Sequence, residues 1–337
     1  MFAEFLVGLF VLLKGSDFFV DSASRIAKRL GVSEFVIGLT FVSIGTSLPE
    51  LVTSSVASYT GNPGLAVGNL VGSNIANIGL ILGLSALLAT LKIEKKVFYR
   101  DGLIMLAVSF LLWVLSLNKV ISRMEGLFLL VVYAFYLEFL FKVFYKFRKQ
   151  FRIRNYVETV LGLRKLFDLK FLRVDAGERL LKKTYQNLQS EMLKDSVLAF
   201  IGIGAVFIGA RYVVSSASEI SLFLGVPQNV IGLIMIAIGT SLPELMVSIS
   251  AARKGFTNLL VGNIIGSNIA NITLIMGISA FIKPLPLIDL SVYRTIPAMI
   301  VFALLALVFM KNDWKLKRHE GAVLLGLYLL FLAWLMA

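Results

Sequence analysis

Glu50 and Glu244 are the side chains best placed to do chemistry. Each closes the same phrase, Gly45-Thr46-Ser47-Leu48-Pro49-Glu50 and Gly239-Thr240-Ser241-Leu242-Pro243-Glu244, inside an otherwise apolar stretch. A carboxylate at membrane depth is costly to keep there and marks a functional site by default. Read as a helix, Ser43, Thr46, Ser47 and Glu50 stand at i, i+3, i+4 and i+7 and share one face. Pro49 has no N–H and crowds the Gly45 carbonyl, so the helix is expected to kink or open there. A freed backbone oxygen in lipid needs a partner, and a dehydrated cation can be that partner. Ala237, Thr240, Ser241 and Glu244 repeat the pattern, with Pro243 acting on Gly239.

A second phrase, Gly72-Ser73-Asn74-Ile75-Ala76-Asn77, returns as Gly266-Ser267-Asn268-Ile269-Ala270-Asn271. Its helix presents Asn69, Ser73 and Asn77 at i, i+4 and i+8, and the other copy presents Asn263, Ser267 and Asn271. Beside them Gly68, Gly72 and Ala76 form a small-residue stripe of the kind that lets helices approach closely, which would bring Ser73 and Asn77 up to Glu50. The resulting donor set is all oxygen. Hard cations such as Ca²⁺ prefer about 6–8 oxygen ligands, and two carboxylates match the charge of one such ion. Left empty, the two charges repel by on the order of several kcal/mol at an effective dielectric near 20. That cost favours exchange of one cation for another over one-way passage.

The elements that must position these groups are membrane spans. The chain is 58% hydrophobic and only 16% charged, well above the roughly 45–50% apolar content of soluble domains. Apolar stretches of spanning length fall at about 2–24, 33–58, 64–90, 100–117, 123–146, 196–218, 228–252, 257–282, 290–310 and 319–337. The first opens with Glu4 and lacks a basic leader, so it reads as a span and not as a cleaved signal. The fold class expected is an all-α polytopic membrane protein, ten transmembrane helices in two inverted five-helix repeats. Residues 1–147 would form the first repeat, with its core copy at 31–86, and residues 196–337 the second, with its core copy at 225–280. About 33 of the 56 aligned positions of these copies are identical. Five helices per half force the second half to insert upside down, the arrangement of transporters with their ion site at the repeat interface.

Lysine and arginine set the orientation. They crowd the linkers near residues 25–29, 92–100, 253–254 and 311–318 and the stretch 142–194, while the opposite linkers hold only Lys119, Arg123, Lys283 and Arg294. Both termini are therefore expected outside and the basic connector 148–195 in the cytosol of a multi-pass protein of the plasma or inner membrane. The connector reads as an amphipathic hairpin on anionic lipid headgroups. The net charge of +13 belongs to that topology, not to nucleic acid, and no obligate protein partner is inferred. Along the first helix, Lys14, Asp17 and Asp21 are spaced to pair on one face; Arg211 stands on the sixth. Internal pairing and snorkelling explain these charges, with a latch on a sliding helix as the alternative.

Other chemistries fit poorly. There is no cysteine, and the only histidine, His319, sits in a basic linker, which excludes disulfides, thiolate metal centres and histidine-based catalysis. An intramembrane hydrolase using two carboxylates as an acid–base pair would be expected to carry aspartates in a Gly-Asp setting, and no such pair occurs. The protein is read as a transporter without a cofactor and not as an enzyme.

The two phrases resemble the α-repeats of the calcium/cation antiporter superfamily, specifically its prokaryotic sodium/calcium exchanger branch, and the ten-helix plan extends the likeness over the whole chain. The resemblance implies Na⁺/Ca²⁺ antiport, about three Na⁺ for each Ca²⁺, electrogenic and by alternating access. It implies a Ca²⁺ site of Glu50, Glu244, Thr46 and Thr240. It also implies Na⁺ sites that share the glutamates, one from Ser43, Ser47 and Ser73 near Glu244, the other from Ala237, Ser241 and Ser267 near Glu50. Asn77 and Asn271 would line the middle. Some members, including potassium-dependent ones, carry aspartate where this chain has Asn271, which argues against potassium dependence here. The alternative is an H⁺-coupled exchanger of Ca²⁺ or another divalent cation, whose Gly-Asn-x-x-Glu setting is absent.

Overall fold

The computed structural model describes residues 2–30, 33–147, 177–223 and 239–336. Helix α1 spans Phe2–Leu30. Glu34–Thr46 (α2) and Leu48–Tyr59 (α3) form one span bent by 45°. Then come α4 (Pro63–Leu88) and α5 (Lys95–Ser116), α6 (Arg123–Phe147), α7 (Gly177–Phe223) and α8 (Leu242–Arg253). The chain closes with α9 (Thr257–Ile282), α10 (Ser291–Lys311) and α11 (Arg318–Met336). Six described helices are long and apolar enough to cross a membrane, or seven with the bent pair. Of the other three expected spans, 2–24 and 123–146 are helical, and 228–238 with Ala237 lies outside the described residues.

The connector expected at 148–195 has no described structure over 148–176, but its last part is already helix. Gly177–Phe223 is continuous, because Glu178, Arg179, Leu180, Leu181, Lys182 and Lys183 are strong helix formers that carry α7 beyond its apolar stretch.

The two halves are built alike. Both α3 and α8 start with proline in the first turn, where a missing N–H leaves nothing unsatisfied. Both end on a glycine with positive φ, Gly61 at 81° and Gly255 at 78°. There the Asn62 N–H closes onto Ala57 O at 2.8 Å and the Phe256 N–H onto Ala251 O at 2.9 Å, the left-handed stop that glycine allows at no steric cost. Short strands cross-link the halves. β1 (Leu91–Lys92) pairs antiparallel with β4 (Lys315–Leu316), and β2 (Val120–Ile121) with β3 (Leu285–Pro286). The first pairing joins two linkers expected in the cytosol, and the second joins two expected outside. At the second, Lys119 meets Asp289 at 2.6 Å, and that carboxylate raises the ammonium above its ordinary pKa.

Burial separates centre from rim. The spanning windows of α4 and α9 are 78% and 94% buried, against 22–44% for α5, α7, α10 and α11. α1 lies antiparallel along α7 at backbone distance, Gly8 against Gly209 and Gly15 against Gly202, small-residue packing of the membrane kind. Arg25 and Arg29 on α1 hold Asp195 on α7 at 2.7 and 3.0 Å.

The expected pairing of Lys14 with Asp17 and Asp21 does not form. Asp17 accepts from Ser250 Oγ at 2.6 Å, and Asp21 pairs with Lys254 at 2.8 Å. The carboxylates face α8, and Lys14 is exposed. These partners are a quarter to two-fifths exposed, so each ion pair stabilises by no more than about 1 kcal/mol. Lys254→Gln is accordingly expected to lower the thermal midpoint slightly and to leave ion binding unchanged, as differential scanning fluorimetry with and without ions will show.

Candidate cation site

The proline break occurs twice with the same geometry. Ser47, between α2 and α3, has φ −83° and ψ 8°; Ser241, before α8, has φ −87° and ψ 6°. Both are buried, as are Glu50 and Glu244 one turn on. The break thus sets a serine hydroxyl and a carboxylate from each copy at mid-protein.

These groups then cross over between copies. Ser47 Oγ donates to Glu244 Oε1 at 2.8 Å and lies 3.0 Å from Ser267 Oγ. Ser241 Oγ donates to Glu50 Oε1 at 3.2 Å and lies 3.0 Å from Ser73 Oγ, which reaches the same Glu50 oxygen at 3.4 Å. The expected grouping of Ser43 and Ser47 with Ser73 is therefore corrected. Ser43 and Ser47 stand with Ser267 beside Glu244, while Ser241 stands with Ser73 beside Glu50. The cause is the crossing of α2 over α9, where Gly266 lies under Ser43 and puts the neighbouring Ser267 beside Ser47. Among the described residues nothing lies within 4 Å of a Cβ built at Gly68 or Gly72, the expected stripe.

The threonine hydroxyls also reach across to the facing helices. Thr46 Oγ1 donates to Asn263 Oδ1 at 3.2 Å and to Val42 O at 3.1 Å; Thr240 Oγ1 donates to Asn69 Oδ1 at 3.0 Å. Asn69 donates onward to Ser54 at 2.9 Å, and Asn263 to Ser248 at 3.3 Å. The Thr46 hydroxyl thus ties the end of α2 to α9, and the Thr240 hydroxyl ties the residue pair before α8 to α4. The Ser43 hydroxyl is likewise turned back to Leu39 O at 2.7 Å, and its carbonyl accepts the Ser47 N–H at 3.0 Å.

Four oxygens stand out. Glu50 Oε2, Glu244 Oε2, Asn77 Oδ1 and Asn271 Oδ1 are buried and have no hydrogen-bond donor among the described residues. Buried acceptors without partners are rare, and all four are oxygens of a kind that can ligate a hard cation. Wide i→i+5 turns begin at Asn77 and Asn271, a distortion frequent at functional sites. Among the described residues no group of three or more His, Cys, Asp or Glu comes together. The donor set is two carboxylates, amide carbonyls and hydroxyls, suited to hard cations.

Asn74 and Asn268 are the residues that sequence reasoning passed over. They lie within the repeated phrase, so the repeat itself was the signal. Asn77 Nδ2 donates to Asn268 Oδ1, and Asn271 Nδ2 donates to Asn74 Oδ1, both at 3.0 Å.

Fold and cluster together define a mostly helical, polytopic membrane protein whose two like halves enclose a buried, anionic, all-oxygen centre. The sequence matches the family described as sodium/calcium exchanger protein over residues 1–142 and 195–337. It is 41% identical over 347 residues to the sodium/calcium exchanger MaX1 of Methanosarcina acetivorans, covering 98% of this chain and 97% of that one. It is 34% identical over 340 residues to the inner membrane protein YrbG of Escherichia coli, covering 99% and 96%. The solved structure of the sodium-calcium exchanger NCX_Mj, soaked with 10 mM Na⁺ and zero Ca²⁺, superposes with a TM-score of 0.78 at 33% identity over 98% of this chain and 97% of that one. The chain belongs to the sodium/calcium exchanger protein family.

Proposed function

We propose that this chain exchanges Na⁺ for Ca²⁺ across the membrane through the centre between Glu50 and Glu244. The observation that carries the reading is the set of four buried oxygens without donors. Ca²⁺ binds between the glutamates. Thr46 and Thr240 serve it through their main chain at the breaks, since their hydroxyls are engaged. Na⁺ ions take the two serine groups, Ser43, Ser47 and Ser267 beside Glu244, and Ser241, Ser73 and the Ala237 carbonyl beside Glu50. Asn77 and Asn271 line the middle. A centre of charge −2 is neutral with one Ca²⁺ and carries +1 with three Na⁺, so a three-to-one cycle is electrogenic.

The empty centre is too costly to reorient, since its carboxylates have no counter-charge; alternating access therefore moves only loaded forms. The ten-helix inverted plan, with halves 1–147 and 196–337, both ends outside and connector 148–195 at anionic headgroups in the cytosol, is the arrangement we assign. The crossed strand pairs support it, because they bring linkers of like expected sidedness together.

The test is ⁴⁵Ca²⁺ uptake into proteoliposomes with Na⁺ and H⁺ gradients varied separately. An outward Na⁺ gradient is expected to drive uptake, and an imposed membrane potential to change its rate. Uptake driven by a pH gradient without Na⁺ overturns the reading in favour of H⁺ coupling.

A further inference from the structure

We infer that Asn74 and Asn268, with Met299 and Met105 behind them, are positioning residues that fix which end of the Asn77 and Asn271 amides faces the ions. This inference rests on the exchange reading above. An asparagine amide carries an oxygen that a cation welcomes and an NH₂ that it does not, and the two ends are nearly the same shape. The centre works only if the oxygen points inward, so something must determine the direction.

The hydrogen bonds determine it in sequence. Asn77 Nδ2 donates to Asn268 Oδ1 at 3.0 Å, which leaves Asn77 Oδ1 at the opposite end of the amide, buried and without a donor among the described residues. Asn268 Nδ2 in turn donates to Met105 Sδ on α5 at 3.6 Å. The other half repeats the chain. Asn271 Nδ2 donates to Asn74 Oδ1 at 3.0 Å, and Asn74 Nδ2 donates to Met299 Sδ on α10 and to Asn268 O, both at 3.4 Å. All six residues are buried.

The thioether end sets the direction. Methionine sulfur and a backbone carbonyl accept hydrogen bonds and never donate. Turning Asn77 over would aim its oxygen at Asn268 Oδ1, so Asn268 must turn as well. That puts Asn268 Oδ1 against Met105 Sδ, two acceptors with no proton between them. Each chain of three residues therefore has one consistent direction, and it ends with oxygen toward the ion. Each chain also passes from one half to the other and back, Asn77 to Asn268 to Met105 and Asn271 to Asn74 to Met299. The two halves thus orient each other's ligands.

The test measures Ca²⁺ and Na⁺ binding to the purified full-length protein by isothermal titration calorimetry. Asn268→Leu removes the acceptor that orients Asn77 and is expected to weaken binding about 10–100-fold, the usual effect of losing a group that orients a metal ligand. Asn268→Asp keeps a carboxyl oxygen toward Asn77 but loses the donor to Met105 Sδ, and is expected to lose less affinity than Asn268→Leu. A purely structural role predicts the opposite order, because a buried acid disturbs packing at least as much as leucine. Equal loss in both variants, or no loss in Asn268→Leu, overturns the inference while wild-type binding leaves the exchange reading intact. A wild type that binds neither ion overturns both. Where Asn268→Leu does not fold, Met105→Leu, which nearly conserves volume, carries the test: its Ca²⁺ affinity must fall, and an unchanged value overturns the inference.

Discussion

Glu50→Gln is expected to abolish Ca²⁺ exchange and Ca²⁺ binding while leaving a folded protein, and Glu244→Gln is expected to do the same. Glutamine preserves the shape and one carbonyl oxygen, so the Ser241 and Ser73 hydroxyls that reach Glu50 Oε1 keep an acceptor. What disappears is one of the two buried negative charges. At about 4 Å and an effective dielectric of about 20, a pair of unit charges is worth about 4 kcal/mol, and a divalent ion doubles that. The retained amide oxygen and the smaller desolvation cost return part of it. If only about 3 kcal/mol is lost net, affinity falls by about two orders of magnitude. The same change removes repulsion between two carboxylates whose Oε2 atoms lack any donor. The ion-free variant should therefore melt no lower than wild type, while the wild type alone gains stability when Ca²⁺ is added. Scintillation flux and a melting curve with and without Ca²⁺ check both halves. Undiminished ⁴⁵Ca²⁺ flux in Glu50→Gln would place the transport site elsewhere.

Much of this centre was legible in the sequence, for identifiable reasons. The two phrases recur letter for letter at one offset, and helical spacing alone puts Ser47 and Glu50 on one face. Pro49 and Pro243 dictate a break by removing an N–H, a local effect that needs no tertiary knowledge; the 45° bend at Ser47 follows from it. Partnership across the halves was not legible. Whether Ser47 meets Ser73 or Ser267 depends on how α2 slides over α9, and helix spacing carries no information on that register. Lys14 was the nearer partner of Asp17 in sequence, yet Lys254 comes from α8, far along the chain. The glycines at 8, 15, 202 and 209 were visible and could have predicted the contact of α1 with α7, since each pair is spaced by two helical turns. Asn74 and Asn268 were hidden by their position off the face that carries Ser73 and Asn77, or Ser267 and Asn271. Only the fold reveals that they touch the other half.

Gly262→Ala should be among the most damaging single methyl groups at the described glycines, for stability and ion binding together. A Cβ at Gly262 would stand 2.3 Å from Phe35 O, one at Gly38 2.2 Å from Leu259 O, and one at Gly266 2.5 Å from Leu39 O. The obstructing atoms are backbone of the crossing helix, so no rotamer change relieves them, and α2 must move away from α9. Overpacking of this kind costs about 1–3 kcal/mol, against the roughly 1 kcal/mol that alanine contributes over glycine as a helix former. The contacts that span this crossing are Thr46 with Asn263 at 3.2 Å and Ser47 with Ser267 at 3.0 Å, and a shift large enough to admit a methyl group breaks both. Gly204→Ala is the matched control, because nothing among the described residues lies within 4 Å of its added methyl and only the propensity gain remains. Gly262→Ala is expected to lower the melting midpoint and to weaken Na⁺ and Ca²⁺ binding in parallel, whereas Gly204→Ala should melt no lower than wild type. A Gly262→Ala protein that melts and binds ions like wild type would show that the α2–α9 crossing does not set the spacing of the site.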